Sequence, residues 1–304
     1  MRGIVGTLRV SVQWERVEPR PEVFDDAELD ALVRQASSTG LRVLPVLSGR
    51  PSWLPGGSAA SPVASVTARR AWGSFVAHLA GRYGPGGAFW RPGTVRAHPI
   101  RSWQVGNEPN FALYWPHPSP PQYARLLTTA SRAIRAHDPG AQIVLAGLAP
   151  VNVGPSPSEF LRRLYRLHGI RRQFDVVALH PYSSTLSQLR YQVEQVRQVM
   201  AIAGDGKKPL LISELGVGSD GVDRSRFELG LKGQARFLRA SFRLLLDFRR
   251  RWHIDGVDWF SWQDVGYGES ACGFCRSAGL VDARGRPKRS WTAYRRVVLR
   301  TAVR

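Results

Sequence analysis

Short apolar runs rich in β-branched residues alternate along this chain with longer segments in which apolar residues recur every three or four positions. The short runs predict strands, and the longer segments predict amphipathic helices. Seven strands are predicted, in the order GTLRVSVQW, LRVLPVL, SWQVGN, AQIVLAGL, FDVVALH, PLLISEL and VDWFSWQ. No linker separates these units, so we expect a single domain over residues 1–304.

The clearest predicted helix is DAELDALVRQASSTG. Leu29, Leu32, Val33 and Ala36 share one face of it, and Gly40 is placed to end it. The other helices are expected to begin near Ala68, Pro121, Pro157, Ser187, Lys232 and Ser290. Each predicted strand is therefore followed by a helix.

Strands that are apolar almost throughout indicate a parallel sheet that is buried on both faces. Seven or eight strand–helix units in a chain of this length suit a closed (β/α)8 barrel, with functional residues at the carboxyl ends of the strands. An open doubly wound sheet is the alternative. It would spread those residues along an edge, whereas a barrel would bring them together.

One strand end, WQVGNEPN, places a carboxylate directly after an apolar run. Pro109 has no N–H and ends the strand, and it is expected to bias Glu108 toward an extended conformation. Taken alone, Glu108 could equally be a charged loop residue or a helix-capping acid.

Other strand ends also carry polar or aromatic side chains. They are Arg9 and Trp14, Trp53, Asn107, His180 and Tyr182, Glu214, and Trp262 with Asp264. Tryptophan faces stack on sugar rings, and paired carboxylates cleave glycosidic bonds. Together these residues indicate a carbohydrate site.

The formal charge of +20 raises the possibility of nucleic-acid binding. Its distribution argues against that partner, because only Lys207, Lys208, Lys232 and Lys288 are lysines and the remaining basic residues are arginines scattered along predicted helices. There is no nucleic-acid reading motif and no basic tail. No apolar stretch approaches the roughly 20 residues of a membrane span, so a membrane partner is not expected either.

Two further motifs suggest cofactors that their contexts do not support. Cys272 and Cys275 form a lone C-x-x-C, which lacks the second ligand pair of a zinc site, so a local disulfide or two thiols are expected and the pair hints at an oxidising compartment. The segment GVGSDG, residues 216–221, fits a dinucleotide-binding pattern. The acidic residue at the required spacing, Asp247, lies in a predicted helix, which argues against NAD binding.

The motifs LRVSVQWERVEP, VGNEPN, HPY, LLISELGVGS and WFSWQD follow one another in an order that resembles the clan-A glycoside hydrolases, nearest to families 5 and 39, over about the whole chain. The resemblance implies that Glu108, after the fourth strand of the family, is the acid/base and that Glu214, ending the seventh, is the nucleophile. It implies retaining hydrolysis of O-glycosidic bonds in an oligosaccharide, polysaccharide or glycoside. Neither a metal nor a cofactor is expected.

The resemblance also assigns supporting roles. Asn107 would bind the sugar 2-hydroxyl, Arg9 would hold the nucleophile ionised, His180 and Tyr182 would orient the carboxylates and the substrate, and Trp262 would form the aromatic floor under the sugar. Arg9, His180 and Tyr182 could instead be core polar residues. Trp14 and Trp53 could equally contact substrate or pack in the core.

Matched to the family, GTLRVSVQW takes the place of the second strand, so the first strand–helix unit is expected to be missing from this chain. A signal peptide could be missing with it, which leaves secreted and cytoplasmic locations both open. A non-catalytic carbohydrate-binding barrel, disabled by the missing strand, is the alternative function. The sequence does not determine the oligomeric state.

Overall fold

The computed structural model describes residues 6–56, 61–91, 96–220, 225–265 and 272–302. Within these ranges the strands are β1 (Thr7–Gln13), β2 (Arg42–Ser48), β3 (Ser102–Asn107), β4 (Gln142–Gly147), β5 (Val177–Leu179), β6 (Leu210–Leu215) and β7 (Ile254–Trp259). The α-helices are α1 (Trp14–Val17), α2 (Ala27–Thr39), α3 (Val66–Tyr83), α4 (Pro120–His137), α5 (Pro157–Tyr165), α6 (Leu186–Ile202), α7 (Gly230–Asp247) and α8 (Arg289–Ala302).

The predicted alternation of strands and helices is confirmed. α2 ends at Gly40, whose φ of 72° is in the left-handed region and whose N–H donates to the carbonyls of the last turn. The other predicted helices begin within two residues of the expected positions. The last strand is the main difference: β7 begins before VDWFSWQ and ends at Trp259. Residues 261–263 instead hydrogen-bond to the 278–281 segment.

The chain divides into two compact units, Met1–Ala178 and Leu179–Arg304. In the first unit, β1, β2, β3 and β4 form a sheet in chain order, and the three pairings between neighbours are parallel. The helices α3 and α4 pack together beside it. Large buried side chains such as Trp72, Phe75, Leu79 and Leu127 form its core.

The second unit contains a sheet of order β5, β6, β7, and the boundary between the units falls within β5. β6 and β7 pair in parallel. The helices α7 and α8 pack together over a cluster that includes Leu238, Phe242 and Leu280, with Trp259 and Trp291 against it. No helix in the described ranges combines the length and the apolar character that crossing a membrane requires.

A tyrosine hydroxyl replaces part of the ladder between β3 and β4. Gly106 has a φ of 83°, and the strand register steps over it. The fully buried Tyr123 on α4 donates its hydroxyl to the Val105 carbonyl at 2.9 Å and accepts from the Ala146 N–H at 2.7 Å. Both backbone groups are thus satisfied inside the core, where an unpaired group is costly. Burial raises the pKa of Tyr123, so the hydroxyl keeps its proton.

Asn110 ties together the loops that follow β3 and β4. Its amide NH₂ donates to the carbonyls of Ala149 at 2.7 Å and Pro155 at 3.0 Å, and its oxygen accepts from the Ala149 N–H at 3.2 Å. Asn110 is completely buried. A side chain at Gly154 would collide with the Asn110 carbonyl, so a glycine is required there. These bonds fix the segment that carries Glu108.

We expect Tyr123→Phe to destabilise the protein by about 1 to 3 kcal/mol, because it removes the hydroxyl that pairs two buried backbone groups. Urea unfolding at constant pH measures this free energy. Tyr191→Phe, at a tyrosine 62% exposed on α6, is the control and should change it by less than about 0.5 kcal/mol. Equal stability of the two variants would show that the hydroxyl has no role in the ladder.

We expect Asn110→Ala to lower the free energy of unfolding by at least about 2 kcal/mol, because a completely buried side chain loses three hydrogen bonds to the backbone together. Asn152→Ala, at an exposed asparagine in the loop after β4, is the matched control and should be nearly neutral. Thermal and urea unfolding of both variants test this, and a neutral Asn110→Ala would contradict it.

Candidate active site

Glu108 follows β3 directly and is 6% exposed. Its φ of 42° lies in the left-handed region, so the predicted extended conformation is wrong. The Glu108 N–H donates to the Gly147 carbonyl at 3.1 Å, and the Glu108 carbonyl accepts from the Phe111 N–H at 2.9 Å. These bonds override the bias from Pro109. A non-glycine residue in this region costs about 1 to 3 kcal/mol, and such strain clusters at functional sites.

Arg9 on β1 fixes the orientation of Asn107 at the end of β3. Its guanidinium donates to Asn107 Oδ1 at 2.9 Å and to Gln104 Oε1 at 2.7 Å. A guanidinium only donates, so the oxygen of the Asn107 amide must face Arg9 and its NH₂ group is directed elsewhere. Gln104 is completely buried and donates to the Leu145 carbonyl at 3.3 Å. Arg9 and Asn107, two site residues that were predicted separately from the sequence, are therefore brought together.

Trp14 and Trp53, the two tryptophans of the first unit that the sequence places among the candidate site residues, differ in exposure. Trp14 is completely buried, its indole N–H donates to the buried carboxylate of Glu18 at 2.6 Å, and its ring packs against Trp72 and Phe75. The structure thus gives Trp14 a packing role. Trp53, after β2, is half-buried, donates to the Glu18 carbonyl at 2.9 Å and meets Trp14 edge-on.

In the second unit, both oxygens of Glu214 face a polar side chain. Glu214 lies near the carboxyl end of β6 and is 8% exposed. The Tyr182 hydroxyl donates to Glu214 Oε2 at 2.5 Å, and His180 Nε2 lies 3.5 Å from Glu214 Oε1. His180 is completely buried at the end of β5. Three of the sequence-predicted residues are therefore clustered.

Trp262 is not part of this cluster in the described contacts. It lies beyond β7, is 40% exposed, and packs edge-on against Trp291 of α8 at 5.4 Å. The rings beside Tyr182 include those of His180 and Phe260, each at 6.2 Å, and of Phe274, at 5.4 Å. β7 ends earlier than predicted, at Trp259, so the chain has already left the sheet when it reaches Trp262.

Asp264 forms an ion pair with the buried Lys288. Lys288 Nζ donates to its two carboxylate oxygens at 2.8 and 2.9 Å and to the Ser277 carbonyl at 2.8 Å. The Gly279 N–H also donates to Asp264. Burial raises the pKa of Asp264 and lowers the pKa of Lys288. The opposite charge of the partner acts against both shifts, because it stabilises the charged form of each side chain. The pair organises the chain beyond β7.

The C-x-x-C motif and the GVGSDG segment both make contacts that stabilise the local fold. Cys272 and Cys275 form a disulfide, which is the first of the two states expected from the sequence. In the glycine-rich segment, the Gly218 N–H donates to the Phe227 carbonyl, and Ser219 hydrogen-bonds to Ser277. The last glycine of that segment, at position 221, lies outside the described residues.

Sequence reasoning missed four residues that support the candidate site: Gln104, Asn110, Phe260 and Phe274. A glutamine inside the apolar strand SWQVGN was a usable signal, because a buried polar side chain needs partners. Asn110, Phe260 and Phe274 gave no such signal in the sequence, because their contacts join segments that are distant along the chain.

No protein-family model matches the chain, and no curated protein matches it in sequence. Solved structures do resemble it in fold. A family 39 glycoside hydrolase from Bacteroides cellulosilyticus WH2 has a TM-score of 0.70 at 19% identity, over 96% of this chain and 57% of its own. An exo-β-1,4-mannosidase from Opitutaceae bacterium strain TAV5 has a TM-score of 0.67 at 20% identity, over 97% of this chain and 53% of its own.

A third structure, GH5_18 from Streptomyces cattleya in complex with GlcNAc, has a TM-score of 0.73 at 20% identity, over 96% of this chain and 70% of its own. The chain thus spans little more than half the length of the first two proteins. At these identities the similarity concerns the fold. The chain shares the parallel α/β-barrel fold of these structures, as predicted from its sequence.

Proposed function

We propose that this protein is a retaining glycoside hydrolase in which Glu214 is the nucleophile and Glu108 is the acid/base. The observation that carries the proposal is the setting of Glu214: a buried carboxylate near the end of a strand, with Tyr182 bonded to one oxygen and His180 facing the other. In this fold, carboxyl ends of strands are where catalytic residues lie. The strained backbone at Glu108 is a second, independent support.

In the first step, the carboxyl group of Glu108 gives its proton to the oxygen of the leaving group while a Glu214 oxygen attacks the anomeric carbon. The glycosidic bond breaks and a glycosyl ester with Glu214 forms. In the second step, the Glu108 carboxylate takes a proton from a water molecule that attacks the same carbon. The ester breaks, the sugar is released with retained configuration, and both glutamates return to their starting states.

Asn107 suits the role of a substrate ligand. Because Arg9 fixes its amide oxygen, its NH₂ group is the end that can donate to a sugar hydroxyl. An amide that is already oriented before the substrate binds needs no reorganisation during the reaction. We assign Asn107 to the 2-hydroxyl, and we assign Arg9 to the orientation of that amide.

Tyr182 and His180 hold the nucleophile. The hydroxyl of Tyr182 stabilises the ionised form of Glu214 and fixes its rotation, which is required for attack along one direction. His180 Nε2 faces the other carboxylate oxygen of Glu214. Trp53 and Trp262 are partly exposed and remain candidates for stacking on sugar rings.

The substrate is proposed to be a glycoside or an oligosaccharide, and the mechanism requires neither a metal nor a cofactor. Structures with the same fold include an exo-β-1,4-mannosidase, a β-xylosidase and a glucosidase, and their substrate classes guide the first choice of test substrates. A panel of nitrophenyl β-mannoside, β-xyloside, β-glucoside and the corresponding α-anomers tests the proposal. Sugar binding without hydrolysis of any member would favour the non-catalytic barrel instead.

The two glutamates should differ in their response to the leaving group. Glu108→Ala should lose about 10² to 10⁴-fold in activity on alkyl glycosides, yet retain much of the first step with a dinitrophenyl leaving group that needs little protonation. Glu214→Ala should fail with both, because no covalent intermediate can form. Steady-state kinetics of both variants on the two substrate classes measure this. Glu194→Ala, at a glutamate ion-paired with Arg190 on the surface of α6, is the control and should keep wild-type activity.

Added azide should separate the roles by stereochemistry. In Glu108→Ala it should intercept the glycosyl ester and give a glycosyl azide of retained configuration. In Glu214→Ala it should attack from the vacated side and give the inverted product. Proton NMR of the products measures the configuration. Exchange of the two configurations between the variants would reverse the roles assigned to Glu108 and Glu214. Wild-type activity in either variant would contradict the role of the residue that was replaced.

A further inference from the structure

The disulfide between Cys272 and Cys275 encloses the start of a short 3-10 helix, Phe274–Ser277. Gly273 and Phe274 are the two residues inside the ring. Both cysteines are half-buried, so a reductant in solution can reach them. The bond therefore constrains the backbone of Phe274 and is chemically accessible.

The other end of this turn is anchored by Ser277, which is buried. The Ser277 carbonyl accepts from Lys288 Nζ at 2.8 Å and from Gln234 Nε2 at 3.0 Å. Its hydroxyl donates to Glu228 at 3.0 Å and accepts from the Ser219 N–H at 2.9 Å. These bonds hold the end of the turn whether or not the disulfide is present, so the disulfide acts on the segment around Phe274.

Phe274 packs directly against the tyrosine that bonds Glu214. Its ring lies 5.4 Å from the ring of Tyr182 in an edge-on arrangement and 5.0 Å from Phe227. Tyr182 also meets His180 and Phe260 edge-on, each at 6.2 Å. Because the side chain of Tyr182 is only half-buried, these rings supply the packing that limits its rotation. The hydroxyl is thereby aimed at Glu214, 2.5 Å away.

We infer that Phe274 is a positioning residue for Tyr182 and Glu214, and that the Cys272–Cys275 disulfide holds Phe274 in that place, so the redox state of this pair regulates the site. This inference rests on the proposed role of Glu214 as nucleophile. A dithiol reductant would transfer two electrons and two protons to the cysteines and would itself become a disulfide. The turn then loses its covalent closure, and the ring of Phe274 no longer limits the rotation of Tyr182.

A double-mutant cycle tests the positioning role. Phe274→Ala should lower kcat about 10 to 10²-fold with little change in KM, because a misplaced nucleophile affects the chemical step. In a Tyr182→Phe background the same change should have a much smaller effect, since the hydroxyl through which Phe274 acts is absent. Phe274→Tyr should keep the ring and restore most of kcat. Equal effects of Phe274→Ala in both backgrounds would overturn the inference.

Phe248→Ala is the matched control within the same unit. Phe248 is also half-buried and stacks on an aromatic partner, Trp252, at 4.5 Å at the end of α7. Its loss should leave kcat near the wild-type value. A similar decrease in kcat for Phe248→Ala and Phe274→Ala would mean that general loosening of the unit is responsible, and would overturn the positioning role.

Reduction tests the regulatory part. Dithiothreitol should lower the kcat of the wild type by about the same factor as Phe274→Ala, about 10 to 10²-fold. The double variant Cys272→Ser, Cys275→Ser should have this lower kcat in both redox conditions. An unchanged kcat after complete reduction, verified by thiol titration, would overturn the claim that the disulfide regulates the site.

A readout without substrate separates this inference from the proposed function. 3-Fluorotyrosine incorporated at position 182 should give one ¹⁹F resonance that shifts or broadens on reduction and in Phe274→Ala, but not in Phe248→Ala. If the wild type hydrolyses no glycoside while the resonance responds, the proposed function fails and the coupling stands. If the resonance is the same in all samples, the coupling fails whatever the activity.

Discussion

The need to pair every buried backbone group governs how this chain presents its carboxylates. Parallel strands meet that need through their ladders, until Gly106 takes a left-handed conformation and the ladder between β3 and β4 is interrupted. The hydroxyl of Tyr123 then pairs the two backbone groups that would otherwise be unpaired. The irregularity is thus stable, and it turns the chain so that Asn107 and Glu108 leave the strand in a fixed geometry.

The two carboxylates are held by different physical means. Glu108 is fixed through its backbone, by bonds to Gly147 and Phe111 that maintain a strained φ. Glu214 lies within β6 and is fixed through its side chain, by Tyr182 and His180. These means suit the roles proposed for them. A nucleophile needs a defined direction of attack, whereas an acid/base exchanges its proton with two different partners during one cycle.

Much of the fold could be predicted because it depends on local patterns. The periods of apolar residues located the strands and helices, and Gly40 marked the end of α2 through its own backbone freedom. β7 was displaced, because residues 261–263 found hydrogen-bond partners in a segment that the pattern does not reveal. The expectation for Glu108 failed for the same reason, since the preference imposed by Pro109 is weaker than the bonds to Gly147 and Phe111.

Local patterns were enough to predict the alternation of strands and helices and the positions of Glu108 and Glu214 at strand ends. Those properties follow from residue type and spacing along one chain. Three contacts became visible only in the folded chain: Trp14 packs in the core, Trp262 lies against α8, and Phe274 packs beside Tyr182. Packing between residues far apart in sequence depends on side-chain shape and backbone path, which no local pattern encodes.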